Sequence, residues 1–478
     1  MKMYIGGKPA DACDETIIEI INPATGKVID SVPNAGPQDV DLAVQAAKAA
    51  QKKWARVPVY RRAEILQAFL ALVEKNKEDL AQTLSAETGK PICEARAEIA
   101  NIPIGFSAFI EKAKHLYGDV IPNGIEAGQD KNILFTRREP VGVVACIIPF
   151  NFPCDLFDQK VAPSLMAGNA AIVKPPHQNP LTLCKLTQLM IEAGVTDGVI
   201  QIITGEGPKA GAALSAHPDV HAITFTGSTA VGIETAKAAA NHLAHISLEL
   251  GGNDAFIVMA DGDVDLAIEE MIWGRMYNCG QVCCASKRFL VHNLIKDEFT
   301  RKAIARVQEL KFGQPDEEGT QIACLVTEAA AKRVEQQVKH VVEQGGRIVL
   351  GGKRSGAFYE PTIIADVPKT ADVAIDEEIF GPVIPIIGFD TVEEAIEIAN
   401  ASRYGLSGCV FTGNMKTAFK VSAALECGGV VVNGASFFRS FEMPFGGYKY
   451  SGLGTEGVLS TFDEVTRLKT VVLKNIVD

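Results

Sequence analysis

The order of apolar runs predicts an α/β protein with two units of parallel sheet, each covered by helices. Three observations carry this reading. Strands alternate with helices from residue 141 to about 260, the alternation resumes after 264, and two strand-like segments fit neither unit. In the first unit the strand-like runs are 141–149, 170–174, 199–204, 221–226 and 254–259, with helical spacing at 153–167, 181–193, 207–216 and 229–240. Ala, Leu, Lys and Glu at helical spacing also mark 39–55 and 61–86. The second unit reads as helix 264–278, strand 287–292, helices 296–311 and 327–344, strands 347–350 and 383–389, helix 392–400, strand 408–412, helix 416–426 and strand 429–433. The leftover segments are Lys131 to Arg138 and Leu468 to Leu473, both bounded by charge. An edge strand at a chain end invites pairing with another subunit; a docked terminal strand is the competing reading.

With 478 residues, 47 % of them apolar, the chain can build cores without covalent staples. Its net charge is 46 − 58 = −12, which disfavours nucleic acid and anionic membranes as partners. The eleven cysteines are odd in number and irregular in spacing, a poor disulfide framework that reads as a reducing compartment. No ligand set completes a metal site around Cys279, Cys283 and Cys284. The longest apolar stretch, Val141 to Phe150, is too short to cross a bilayer, and the first residues lack the apolar core of a signal peptide. A cytoplasmic protein is expected.

Two glycine-bearing turns follow strands of the first unit. Gly205-Glu206-Gly207-Pro208-Lys209-Ala210-Gly211 has GxGxxxG spacing, a departure from the GxGxxG fingerprint. In Phe225-Thr226-Gly227-Ser228-Thr229, Ser228 or Thr229 is placed to cap the next helix. Either turn alone reads as an ordinary helix start. Together, beside the turn Lys174-Pro175-Pro176-His177, they point to a dinucleotide at helix N-termini.

A cysteine after a glycine-polar kink (Gly280-Gln281-Val282-Cys283) and a carboxylate at a strand-to-glycine turn (Leu248-Glu249-Leu250-Gly251-Gly252) suggest a nucleophile and a base. Taken singly, buried packing for Cys283 and an exposed or capping role for Glu249 are the simpler readings.

Six motifs in one order decide between these readings: Pro149-Phe150-Asn151-Phe152-Pro153, Phe225–Ser228, Leu248–Gly252, Gly280–Cys283, Glu378-Ile379-Phe380-Gly381-Pro382 and Pro444-Phe445-Gly446-Gly447. Across the whole chain they resemble the aldehyde dehydrogenase superfamily. Phe135–Pro140 and Phe438-Arg439, next to Met443–Gly447, look most like its lactaldehyde and non-phosphorylating glyceraldehyde-3-phosphate branches. The resemblance implies two Rossmann-like α/β domains plus a small β oligomerisation extension. The dinucleotide-binding domain would take 1–119 and 141–251, the catalytic domain 252–450, and the oligomerisation segments 120–140 and 466–478 of a homodimer or homotetramer.

The resemblance also implies roles. Cys283 would add to the aldehyde, and Asn151 with the Cys283 N–H would stabilise the oxyanion. Loss of hydride to nicotinamide leaves a thioester, hydrolysed by water that Glu249 activates. Lys160 and Glu456 match positions that pass the proton onward. The cofactor, NADP or NAD, would meet Lys174, His177, Gly207, Gly227, Ser228, Glu378 and Phe380. His177 stands where NAD-preferring relatives commonly carry Glu, so NADP should be accepted. A coenzyme-A-acylating relative and a catalytically idle structural relative are the rivals. The retained Glu249 argues against the first, and Cys283, Glu249 and Asn151 together argue against the second.

Phe152, Asp155, Leu156 and Gln159 share one helical face, which in the family lines the substrate tunnel. Its polar character suggests a small hydroxylated aldehyde such as lactaldehyde or glycolaldehyde. Arg439 supports the alternative, an anionic semialdehyde.

Overall fold

The computed structural model describes residues 1–477. An eight-stranded sheet has at its centre five parallel strands, in the order Ile200–Ile202, Ala170–Lys174, Val143–Ile147, Ala222–Thr226 and His245–Glu249. Most of these strands are buried on both faces, which is why they read as short continuous apolar runs. The chain leaves Val143–Ile147 toward Ala170–Lys174 on one side and returns at Ala222–Thr226 on the other. The crevice beyond the strand ends at such a switch point is where α/β sheets bind ligands.

The second sheet has seven strands, ordered Arg347–Leu350, Thr362–Ala365, Val383–Phe389, Ser286–His292, Asp254–Val258, Ser407–Phe411 and Gly429–Val432. Only its Arg347–Leu350 edge is antiparallel. Asp254–Val258 therefore opens the second sheet and does not close the first. The leftover segments pair with each other: Thr466–Leu473 runs antiparallel to Ile133–Pro140, with Val120–Ile121 on the far side.

Strand Thr362–Ala365 of the second sheet was not expected, and three helical segments also depart from the expected string. The single helix expected at 61–86 is two, Val59–Lys75 and Lys77–Thr88, broken where the Asn76 side chain donates to the Leu72 carbonyl at 2.8 Å. The segment 207–216 begins as a wide π turn, Gly207–Gly211, before Ala212–Ala216. A long helix, Ile92–Ala113, was not expected at all. Pro103 inside it is a breaker signal, overridden because Ile92, Ala95, Ile99, Ile102, Phe106, Phe109 and Ile110 all bury into one core. It packs along Pro153–Ala167, and so reaches the site.

Candidate active site

Helix Val264–Met276 runs into a tight turn at Tyr277–Gly280 that presents Cys283. Asn278 (φ 49°), Cys279 (φ 54°) and Gly280 (φ 74°) are left-handed in succession, a costly backbone for the two non-glycines. Hydrogen bonds hold it there. The Asn278 N–H donates to Glu94 at 2.8 Å, its side chain donates to the Asn151 carbonyl at 3.0 Å, and Gln281 Nε2 donates to the Asn278 carbonyl at 3.1 Å. At Gly280 a Cβ would lie 2.2 Å from the Gly381 carbonyl, so only glycine fits.

Asn151 follows strand Val143–Ile147, and its Nδ2 donates to the Gln281 carbonyl at 3.0 Å, two residues before Cys283. Its own carbonyl accepts from Lys90 Nζ at 2.9 Å, and Lys90 forms a fully buried ion pair with Glu98. Glu98 accepts from the Cys154 N–H at 2.8 Å, capping the helix that carries Asp155, Gln159 and Lys160.

Glu249 ends strand His245–Glu249. It is only 3 % exposed, and neither carboxylate oxygen has a hydrogen-bond partner among the described residues. Burial and the Glu456 charge hold it well above the usual carboxylate range, while Arg439, among others, pulls it down. Cys283 adds its own charge to that field, so the expected nucleophile and the expected base share one site. The Lys160–Glu456 pair is also buried, and Lys160 donates to Thr224 at 3.1 Å. A hydrogen bond with Cys284 and burial raise the Cys283 thiol, against the pull of Lys287 and Arg439. Cys279 is buried, its sulfur accepting from the Ala323 N–H at 3.3 Å.

The expected substrate face divides. Phe152 packs with Cys283, Val282 and Phe445, and its ring stacks on Tyr277 at 6.0 Å. Leu156 instead packs against the core of the first unit. Asp155, pushed up to about 7 by burial and the Glu98 charge, accepts from Asn101 at 3.4 Å through one oxygen only. Gln159 is buried with its carbonyl oxygen unpartnered. The Arg439 guanidinium lies over the Phe445 ring at 3.6 Å and makes no ion pair among the described residues.

On the cofactor side, Lys174 ends its strand buried and lowered to about 8 by burial. Burial and Lys174 lower His177 too, while Glu206 acts on both in the opposite sense. A Cβ at Gly207 would meet open space, and one at Gly227 would strike the Phe225 ring at 2.6 Å. Ser228 occupies the N-cap of Thr229–Ala240 but makes no capping bond, and Thr229 donates to the Tyr450 carbonyl at 3.1 Å. This corrects the expected cap. The helix start keeps its N–H groups for an anion, and with buried Lys174 nearby these groups fit a dinucleotide. Phe380 meets Phe150 edge-on at 6.0 Å, and Glu378 accepts from the Gly252 N–H at 3.2 Å.

Sequence reasoning missed four contributors. Glu94 and Lys90 lie on or beside the unexpected helix. Phe437 joins Phe152, Tyr277 and Trp273 in an aromatic wall. Lys287, at the start of a strand only four residues after Cys283, was the one legible signal.

Two dinucleotide-type sheets with a thiol, a buried carboxylate and an amide at their junction define the aldehyde-oxidising dehydrogenases. The chain belongs to the aldehyde dehydrogenase family, whose sequence model matches residues 10–471. It is 39 % identical over 472 residues to the mitochondrial succinate-semialdehyde dehydrogenase of Arabidopsis thaliana, covering 98 % of this chain and 88 % of that one. It is 37 % identical over 476 residues to the 3-sulfolactaldehyde dehydrogenase of Pseudomonas putida, covering 99 % and 97 %. A solved structure of an E. coli NADP-dependent enzyme superposes with a TM-score of 0.96 at 35 % identity, covering 99 % of this chain and 98 % of the other. The protein is an NAD(P)-dependent aldehyde dehydrogenase.

Proposed function

We propose that the protein oxidises a small aldehyde bearing a second, anionic group to the corresponding acid. The observation that carries this is Arg439: a guanidinium stacked on Phe445, free of any carboxylate, whose charge is felt at Cys283, Glu249 and Asp155. Relatives named for succinate semialdehyde and 3-sulfolactaldehyde support the same reading.

In this reading the Cys283 thiolate bonds to the carbonyl carbon, and the oxyanion accepts from Asn151 Nδ2 and the Cys283 N–H. When bound, the nicotinamide supplies the hydride acceptor, with Phe380 beside it and Glu378 on its ribose. Glu249 takes a proton from water as the water oxygen attacks the thioester. The C–S bond breaks, the acid leaves, and the proton passes toward Glu456 and Lys160. Lys174, His177, Gly207, Gly227 and Ser228 bind the adenosine and pyrophosphate. Residues 1–119 and 141–251 hold the dinucleotide and 252–450 the nucleophile. The exposed edge of Thr466–Leu473 joins subunits into a dimer or tetramer.

A second reading keeps a neutral hydroxylated aldehyde, because Asp155 Oδ1 and Gln159 Oε1 are buried acceptors without a donor. Succinate semialdehyde, lactaldehyde, glycolaldehyde and a long alkanal, each assayed with NAD and NADP, separate the two. The anionic substrate should give the highest kcat/KM. Lactaldehyde or glycolaldehyde matching or exceeding it would replace the first reading by the second.

A further inference from the structure

We infer that Lys287 is a positioning residue that couples the ribose contact of Glu378 to the reactivity of Cys283. Lys287 is 1 % exposed in strand Ser286–His292. Its ammonium donates to the Cys283 carbonyl, stands 3.1 Å from Glu378 Oε1, and lies 5.5 Å from the centre of the Phe380 ring. One buried cation thus touches the nucleophile loop and both residues assigned to the nicotinamide half of the cofactor. The inference rests on the roles proposed above for Cys283 and Glu378.

The glycine pair after the base makes room for this arrangement. Glu378 Oε1 also accepts from the Gly252 N–H at 3.2 Å, and a Cβ at Gly251 would lie 2.5 Å from Oε2. Oε2 has no donor from Lys287 or Gly252 and can take the ribose hydroxyls. A carboxylate that accepts from those hydroxyls holds its negative charge less fully against Lys287. The field of the ammonium at the Cys283 sulfur then rises, and the thiolate is favoured. The other groups whose charge reaches this thiol are Cys284, Arg439, Glu249 and Asp254. None of them contacts Glu378 by hydrogen bond or ion pair among the described residues.

The test is the pH dependence of Cys283 alkylation by iodoacetamide in the full-length protein, with and without NADP, the label located by peptide mass spectrometry. In the unaltered protein NADP should move the titration to lower pH. K287M should slow alkylation at pH 7 by about ten-fold and lose the response to NADP, and K287R should keep most of it. E378Q should move the titration down without NADP, and should do so only while Lys287 is present. K287M that titrates and responds like the unaltered protein would overturn the inference. So would an E378Q shift of equal size in the K287M background, or no shift in E378Q alone, an arm that stands even if K287M does not fold. Activity that survives full labelling of Cys283 would instead defeat the proposed nucleophile, a distinct failure.

Discussion

The backbone N–H of Asn278 donates to the Glu94 carboxylate at 2.8 Å, across 184 positions of sequence. This bond ties helix Ile92–Ala113 to the left-handed turn that presents Cys283, so the placement of the proposed nucleophile depends on a helix from the other unit.

Burial pushes Glu94 up to about 8. The folded protein therefore binds a proton there that the unfolded chain has released. That contribution is full below the ordinary carboxylate pKa and disappears as pH climbs through about 8. E94Q keeps an acceptor for Asn278 but cannot titrate, and should flatten the fall in stability between about pH 5 and 8, read by denaturant unfolding at several pH values. E94A strands the N–H and should cost about 1–3 kcal/mol together with activity.

Glu456 is a main reason, after burial, that the Glu249 carboxyl is held well above the usual carboxylate range. E456Q removes that negative charge and leaves the Lys160 cation behind. The rising limb of turnover against pH should then shift to lower pH. E249Q should show one rapid turnover followed by a steady rate reduced about 10²- to 10⁴-fold, read by stopped-flow absorbance of the reduced cofactor. A steady rate unchanged in E249Q would remove it as the base.

Arg439 has no ion-pair partner among the described residues and is the group proposed to receive the anionic end of the substrate. R439M should lower kcat/KM for succinate semialdehyde roughly 10- to 100-fold, the range of a hydrogen bond to a charged group. Glycolaldehyde turnover should change far less. An equal loss on both substrates would assign Arg439 to the thiol and base.

The Glu206 carboxylate acts on both Lys174 and His177, the pair expected to face the adenosine ribose. It would repel a 2′-phosphate placed there. E206Q should shift the ratio of kcat/KM for NADP over NAD upward by roughly two- to five-fold, the scale of an exposed charge pair.

Much of this was legible before the structure. Strands such as Ala170–Lys174 are mostly continuous apolar runs, and the turns after the strands are marked by local proline or glycine chemistry, so their order could be read directly. Cys283, Glu249 and Asn151 were visible because each lies in a short motif. The reading of Glu249 as an exposed or capping carboxylate gives way to burial, which depends on what packs above. The four-residue substrate face failed in part for the same reason. Helical spacing places Leu156 beside Phe152, but the neighbouring helix claims it for the core.

The sequence by itself determined the α/β class, the family and the use of a dinucleotide, and it singled out Cys283 and Glu249 as candidates for nucleophile and base, because those reside in contiguous runs and turns. Only the tertiary structure decided that Glu94 and Lys90 brace the turn before Cys283, that Lys287 stands between Cys283 and Glu378, and that the charge of Arg439 reaches Asp155 and Glu249. Each of those is an electrostatic relation across distant elements, and a charge buried without water is governed by whichever partner the fold brings within a few ångströms.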